Sequence, residues 1–366
     1  MTFEPRDAPY PELKKSHTMA RTGRPFTDVK PPPAAPVWAA IEGLARYHVL
    51  LAAIELGVFD AVRDAGCAEA GELALRLGVS APHLTALLDG VVALGLLDKV
   101  NDRYTANDTA RRYLVSDGPA CMAQLVPVAP GPQHNWTRLA DSVRRGHPAT
   151  PIEDDPAAFY VPLVEGTFTT MWRTATRLDR IVRYAMAGPA PRVLDLGAGG
   201  APWAIAVLTA CPDGQAVVND LDRVLDVARR TTADHGVSDR CEFRTGDYFE
   251  VDIEPGEFDL VVLGHVCRAE GADGAARLIR RAADALRPGG RVIVADYFQD
   301  PERKLNPHAV LMGVTMMANT ANGFTFTTEQ FAGWLADAGF VEHRLVEPIA
   351  FQQCMIATKA TRGETP

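Results

Sequence analysis

A short apolar strand closed by glycines, "RVLDLGAGG", runs straight into an apolar helical stretch, "APWAIAVL", and this junction limits the chain more than any other feature. A strand that is apolar at successive positions has to be covered on both faces, which is the situation of a parallel sheet sandwiched by helices. Gly197 and Gly199 allow a tight turn and close backbone approach, and the helix that follows turns its free N–H groups towards a polar ligand. Four further segments repeat the strand pattern: "QAVVND", "EFRTGDYF", "EFDLVVLGHV" and "GGRVIVADYF". Strands alternating with helices from Pro191 onward predict an α/β fold, a doubly wound parallel sheet of the Rossmann type, with its ligand beyond the carboxyl ends of the strands.

The residues at those strand ends are the candidate ligand contacts. Asp220 stands about 20 residues past the glycine turn, where a carboxylate can accept both hydroxyls of a ribose. Leu221 follows it. Asp247 closes the next strand, placed to meet an adenine amino group, with Tyr248 and Phe249 beside it. Asp195, Gly197 and Gly199 occupy the first turn, and Gly264 and His265 end the fourth strand. Helix closure at Leu286-Arg287-Pro288-Gly289-Gly290 is expected before the fifth strand.

The first half reads differently. Residues 1–36 are rich in proline and charge and end in "KPPPAAP", a composition that buries too little surface to offset its ordering entropy and so predicts a flexible tail. Residues 37–119 show helical periodicity, with Gly57 and Gly66 as stops, a turn at Gly78-Val79-Ser80, Ser80 as N-cap of the next helix, and a hairpin turning at Asn101-Asp102. That order is a winged-helix layout. Its second helix, "APHLTALLDGVVALGLL", has no Arg, Lys, Asn or Gln to reach base edges or phosphates, so packing on a second copy of the chain explains it better than DNA binding. Residues 120–188 predict a helical linker and pocket region with a break at "RRGHPATPIEDDP". Met171, Trp172, Leu178, Ile181 and Tyr184 form an apolar stripe there, from which Trp172 is a candidate substrate contact, as are Met312 and Met316 by their position. Residues 189–366 form the nucleotide-binding half.

Net charge and cysteine usage exclude several classes. A net charge of −9 argues against general affinity for nucleic acid. The six cysteines are scattered without a CxxC pair, so neither a zinc site nor a disulfide framework is indicated, and a reducing cytoplasm fits. No histidines stand at ligand spacing, so no metal is expected. No run approaches the ~18 apolar residues of a membrane span, and a membrane role is not expected.

On the glycine turn, Asp220, Asp247, the "LRPGG" turn and the late helix "TTEQFAGWLADAGF", the sequence resembles the class I S-adenosylmethionine-dependent methyltransferases. More narrowly it resembles the small-molecule O-methyltransferases with an N-terminal winged-helix dimerisation domain. The resemblance covers Val37 to the C-terminus. It implies S-adenosyl-L-methionine as cofactor and S-adenosyl-L-homocysteine as product, a homodimer formed through the N-terminal domain, and a small-molecule acceptor. A dinucleotide-binding dehydrogenase shares the strand pattern, but Asp247 and "LRPGG" favour the methyl donor. Ala201-Pro202 stands where the family commonly has another glycine.

Residues Leu263 to Arg281, "LGHVCRAEGADGAARLIRR", depart most from the family. Arg268 stands where the family carries the His that takes a proton from the acceptor hydroxyl, and Ala269 where that His is followed by Asp. A guanidinium has no free lone pair and cannot be that base. Asp296 matches one of the two acids that flank the family's His, and the other falls near Thr325. Arg268, His265 and Asp296 are therefore the candidate catalytic residues, and three explanations stay open. Arg268 holds an acceptor that is already anionic; or the member has given up methyl transfer for pericyclase- or hydroxylase-type chemistry; or Arg268 merely pairs with Glu270 or Asp273. Carbon or nitrogen acceptors fit the first explanation as well as oxygen.

Overall fold

The computed structural model describes residues 34–184 and 188–361, so most of the expected tail, residues 1–33, lies outside the described residues. The chain separates after Tyr47 into two compact units, residues 1–47 and 48–366. Helix α1 (Ala35–Glu55) spans that boundary and begins inside the segment expected to be tail, with Pro36 in its first turn, where proline's missing N–H costs nothing. At 21 residues it is long and apolar enough to cross a membrane by length and composition, which corrects the expectation that no such run exists. Gly43, Glu42 and Arg46 interrupt its apolar run, and this obscured its length in the sequence.

The second unit continues with α2 (Val58–Ala65), the short strand β1 (Ala68–Glu69), α3 (Ala70–Leu77) and α4 (Ala81–Ala93). A hairpin of β2 (Leu97–Val100) and β3 (Arg103–Ala106) follows, pairing in the order β1-β3-β2, and then α5 (Asp108–Tyr113). Gly57, Gly66 and Gly78 take left-handed φ values of 70°, 69° and 67° at the helix ends, where a side chain would be strained. Asn101 and Asp102 have φ of 49° and 61°, the two-residue turn whose twist matches paired strands. Ser80 occupies the N-cap of α4 but makes no capping bond; its hydroxyl lies 2.9 Å from His83 Nδ1 instead.

Helices α6 (Gln133–Trp136), α7 (Leu139–Arg145) and α8 (Pro156–Val182) form the linking region. The stripe expected on α8 is partly corrected. Leu178 and Tyr184 are buried, but Ile181 is exposed, and the face of α8 that packs inward is Thr174, Ala175, Leu178 and Val182.

The sheet is built from β4 (Arg192–Leu196), α9 (Pro202–Ala210), β5 (Gln215–Asp220), α10 (Asp222–Asp234), β6 (Cys241–Thr245), β7 (Phe258–Gly264), α11 (Gly271–Ala285) and β8 (Leu286–Asp296). It is completed by α12 (Pro307–Asn319), α13 (Thr328–Asp337), β9 (Phe340–Ile349) and β10 (Gln352–Lys359). The strand order is β6-β5-β4-β7-β8-β10-β9, with apolar clusters on both faces. The expectation of a parallel sheet holds for the first five strands; β10 pairs antiparallel with both β8 and β9, so the sheet is mixed. Leu286–Gly290 likewise belong to the start of β8 and do not form a separate turn closing α11.

The glycine turn shows what replaces the missing glycine. Ala201, fully buried, sits at φ 56° and ψ 35° as the N-cap of α9, a left-handed conformation that costs an alanine ~1–2 kcal/mol. Ala201→Gly is therefore expected to stabilise the fold by ~0.5–1 kcal/mol after the flexibility of glycine in the unfolded chain is subtracted. Urea denaturation checks this: a lower midpoint would mean that the packing of the buried methyl outweighs the relief of strain.

Candidate active site

The carboxyl ends of β4, β5, β6, β7 and β8 bring most of the sequence-derived residues together. Gly197 and Gly199 adopt φ of 63° and 57°. A Cβ on Gly197 would overlap Val266, and one on Gly199 would lie 3.0 Å from Val164 of α8. Asp220, at the end of β5, clamps this loop: Oδ2 accepts the Gly199 N–H at 2.7 Å and Oδ1 the Leu221 N–H at 2.8 Å. Asp195, fully buried at the end of β4, accepts the Ala204 N–H of α9 at 3.1 Å through Oδ2, while its Oδ1 has no hydrogen-bond partner among the described residues.

Burial raises both carboxyls, Asp195 to about 7, with the Asp220 charge adding to it, and Asp220 to about 6 against the two N–H bonds that oppose the shift. A carboxyl raised in the fold binds more protons there than in the unfolded chain. Stability of the ligand-free protein is accordingly expected to fall as pH rises from about 4 to about 7. Thermal melts across that range check the sign, and a rise over the same window would refute it.

At the end of β6, Asp247 accepts the Phe249 N–H at 2.7 Å, so its turn is self-braced. Tyr248 lays its ring against Gly197 and donates its hydroxyl to Glu270; Phe249 packs face-on beneath the Arg277 guanidinium at 3.6 Å. Burial and the Tyr248 contact enclose Glu270, whose carboxyl is raised mainly by desolvation.

The candidate catalytic residues form one cluster. Arg268 Nη1 donates to the His265 carbonyl at 2.7 Å and to Asp296 Oδ1 at 3.3 Å, and the Arg268 backbone N–H reaches Asp296 Oδ2 at 3.1 Å. Arg268 is thus paired with Asp296 across β7 and β8, which corrects the alternative of Glu270 or Asp273. Burial raises the Asp296 carboxyl, and Arg268 with the two N–H bonds pulls the other way. The guanidinium also lies over the Tyr297 ring at 5.3 Å, and Arg268 Nε has no partner among the described residues.

His265 leaves β7 at φ 66°, tied by its N–H to the Ala295 carbonyl at 2.7 Å. Both ring nitrogens are shielded from solvent without a well-formed hydrogen bond, the Gln352 side chain being their polar neighbour. Burial and the Arg268 cation hold the imidazole well below its ordinary value, so it is neutral at pH 7. Thr325, near the second expected acid, is buried and committed, accepting from Gln299 Nε2 at 2.6 Å and donating to the Ala309 carbonyl at 2.9 Å.

Of the four expected substrate contacts, Arg268 lies in the cluster just described, and Met312 and Met316 are on α12. Met316 belongs to the cluster: a Cβ on Gly323 would meet both its methyl, at 3.0 Å, and the Arg268 carbonyl, at 2.8 Å. Met312 lies one turn earlier on the same helix. Trp172 is placed elsewhere. Its ring packs 5.5 Å from His235 at the end of α10, one helical turn beyond Phe168, so the periodicity of α8 turns it into the seam with α10 and away from Arg268.

Tyr160, which the sequence did not single out, lies within electrostatic reach of this cluster. It precedes Val164 and Phe168 by one and two turns on the stripe of α8 that crosses Gly199 and Gly200, and its phenol is influenced by Arg268, Glu153, Glu270 and Asp220. Burial pushes it up to about 12, keeping it a neutral donor. The only signal available was its i, i+4 spacing from Val164.

A seven-stranded sheet with a glycine loop clamped by a strand-end aspartate, and a second aspartate one strand away, defines a methyltransferase of the S-adenosylmethionine-dependent class. Comparison with known proteins gives the family. Residues 168–341 match the O-methyltransferase domain and residues 38–116 the O-methyltransferase dimerisation domain. The 3-hydroxy-5-methyl-1-naphthoate 3-O-methyltransferase of Streptomyces sahachiroi is 30% identical over 319 residues, covering 83% of this chain and 88% of that protein. An O-methyltransferase from Nostoc punctiforme superposes with a TM-score of 0.82 at 25% identity, covering 90% of this chain and all of that one. Human N-acetylserotonin methyltransferase, solved with S-adenosylmethionine, shares the fold at a TM-score of 0.76 and 22% identity, covering 92% of this chain and 100% of that one. The chain belongs to the O-methyltransferase family.

Proposed function

We propose that this enzyme methylates a hydroxyl of a small acidic aromatic acceptor, and that the acceptor reacts as its anion. The single observation that carries this reading is Arg268. It stands where the family's base is expected, it is pinned between Asp296 and the His265 carbonyl, and it keeps one donor, Nε, unfilled. A guanidinium cannot take a proton, and Asp296 already accepts three hydrogen bonds, from Arg268 Nη1 and from the N–H groups of Arg268 and Tyr297. Proton removal is then left to the acceptor's own acidity. An arginine donor beside the acceptor oxygen stabilises its ionised form and lowers its pKa. The Streptomyces sahachiroi relative, named for methylating a hydroxynaphthoate, acts on an acid of this kind.

S-Adenosylmethionine, when bound, supplies a methyl group on a positively charged sulfur. The residues suited to hold it are Asp195, Gly197, Gly199, Asp220, Leu221, Asp247, Tyr248, Phe249, Gly264 and His265. Their fit rests on the unfilled Asp195 Oδ1 and on the Asp220 clamp of the glycine loop. Asp220 and Asp247 suit the nucleoside, Asp195 and the loop the methionine end. What the protein contributes to the chemistry is alignment of the acceptor oxygen with the methyl carbon, for which effective molarities of ~10⁵ M or more are known.

The same reading makes the enzyme a cytoplasmic homodimer joined through a winged-helix domain at residues 37–119. It is supported by Val37, Trp38, Ile41 and Leu44, apolar side chains of α1 that are exposed. Neither nucleic acid nor membrane is part of this proposal.

The test is liquid chromatography with mass detection after incubation with S-adenosylmethionine and a series of phenols of graded acidity. A product ~14 mass units heavier, the mass of the added CH₂, is expected together with S-adenosylhomocysteine. The acidic limb of kcat/KM should follow each acceptor's own pKa. A limb at one pH for all acceptors would mean that a protein group is the base, and consumption of an acceptor without S-adenosylhomocysteine would mean that methyl transfer has been lost.

A further inference from the structure

We propose that Thr231 of α10 is a positioning residue for the cofactor: its hydroxyl, together with Val164 and Phe168 of α8, holds the glycine loop in place and so sets how tightly S-adenosylmethionine binds. This rests on the reading that Gly197, Gly199 and Asp220 hold the cofactor. Thr231 Oγ1 donates to the Gly200 carbonyl at 2.6 Å, closer than to either carbonyl of its own helix, Val227 at 3.0 Å and Ala228 at 3.1 Å. A threonine inside a helix ordinarily bonds back to the preceding turn. Thr232, the next residue, does so: it is fully buried and donates to the Ala228 carbonyl at 2.7 Å. Thr231 is therefore the one of the pair that reaches out of its helix to the loop.

The loop is tied to α10 at two points. Asp220, just before the helix, accepts the Gly199 N–H at 2.7 Å, and Thr231, in the last turn, donates to the carbonyl of the very next loop residue. Gly200 is buried and, unlike Gly197 and Gly199, does not take a left-handed φ, so backbone conformation does not require a glycine there. Space does: a Cβ on Gly200 would lie 3.0 Å from the Phe168 ring, as one on Gly199 would from Val164, and these two side chains stand one turn apart on α8. Phe168 and Trp172 keep α8 there by packing on the His235 ring at 5.6 Å and 5.5 Å, and Glu165 pairs with Arg230 across the same seam. The loop is thus gripped between two helices. Releasing the Gly200 carbonyl leaves a buried acceptor without its donor. It also frees the loop one residue from the Gly199 N–H and loosens that group's hold on Asp220, the carboxylate suited to the ribose.

Titration calorimetry of the full chain with S-adenosylhomocysteine tests this, alongside urea unfolding of each variant without ligand. Thr231→Val keeps the shape of the side chain and removes the donor; it is expected to weaken binding about three- to tenfold, the worth of one hydrogen bond. Thr231→Ser keeps the hydroxyl and should bind within about twofold of the parent. Thr232→Val loses a hydroxyl bonded only within the helix, so its stability should fall while its affinity does not. Gly200→Ala leaves the hydrogen bond in place and pushes a methyl against Phe168, from which a loss of about threefold or more is expected. That variant gives the answer if Thr231→Val does not fold. Parent-like affinity in Thr231→Val or Gly200→Ala, a loss in Thr231→Ser as large as in Thr231→Val, or equal weakening by Thr232→Val would each overturn the proposal. Asp220→Ala separates it from the reading on which it rests. If Asp220→Ala weakens binding and Thr231→Val does not, the role of Thr231 fails alone; if neither does, the glycine loop is not the cofactor site.

Discussion

Arg268→Ala is expected to destabilise the protein by ~3–5 kcal/mol, the usual result of stranding one partner of a buried ion pair. Asp296 is 2% exposed and its Oδ1 is the partner of Arg268. With the guanidinium gone, only the two backbone N–H bonds still oppose burial, and the Asp296 carboxyl is raised further. A raised carboxyl lowers stability as pH rises above its unfolded value, so the deficit of the variant relative to the parent should grow from acidic towards neutral pH and shrink again on acidification. Urea unfolding at several pH values measures this. The double variant Arg268→Met, Asp296→Leu removes both charges and should recover most of the loss, because a well-packed apolar pair commonly matches a buried ion pair in stability. If the single variant is as stable as the parent at neutral pH, the ion pair is not what holds β7 to β8 at this point. Turnover separates the chemical role from the structural one: a fully folded double variant should still bind cofactor yet fail with acidic acceptors.

The second large effect falls on the cofactor. Asp220→Ala removes the acceptor of two loop N–H bonds, from Gly199 and Leu221, and the group proposed to accept the ribose hydroxyls. Loss of charge-assisted hydrogen bonds of this kind costs ~1.5–3 kcal/mol, or ~10–150-fold in Kd. Titration calorimetry with S-adenosylhomocysteine reads it directly. The parent should show the same weakness reversibly as pH falls through about 6, where Asp220 takes up a proton. An affinity that is flat between pH 5 and 7 would place the ribose on another group, those two pH values being chosen to bracket the raised carboxyl.

Much of this was legible in the chain itself. Asp220 and Asp296 close β5 and β8 and Gly264 closes β7, all three singled out by the sequence, and the reason is local: a buried strand stays mostly apolar until it meets the ligand edge. The turns at Gly57, Gly66, Gly78 and Asn101-Asp102 were legible for a similar reason, since left-handed backbone is tolerated by few residue types. The length of α1 was not, because charged residues interrupt its apolar run. Nor was the antiparallel course of β10, which depends on a hairpin with β9 and not on any property of β10 alone.

By itself the sequence determined the class of fold and the methyltransferase family, because both follow from residue types at fixed spacing along the chain. Tertiary structure decided what Arg268 does. Its partner is Asp296, 28 positions away and on the neighbouring strand, and not the nearer Glu270 or Asp273. Trp172 was sent into the seam with α10, and Met316 of α12 was brought beside the Arg268 turn. Electrostatic and aromatic contacts depend on distance in space, which spacing along the chain constrains only within a single helix or strand.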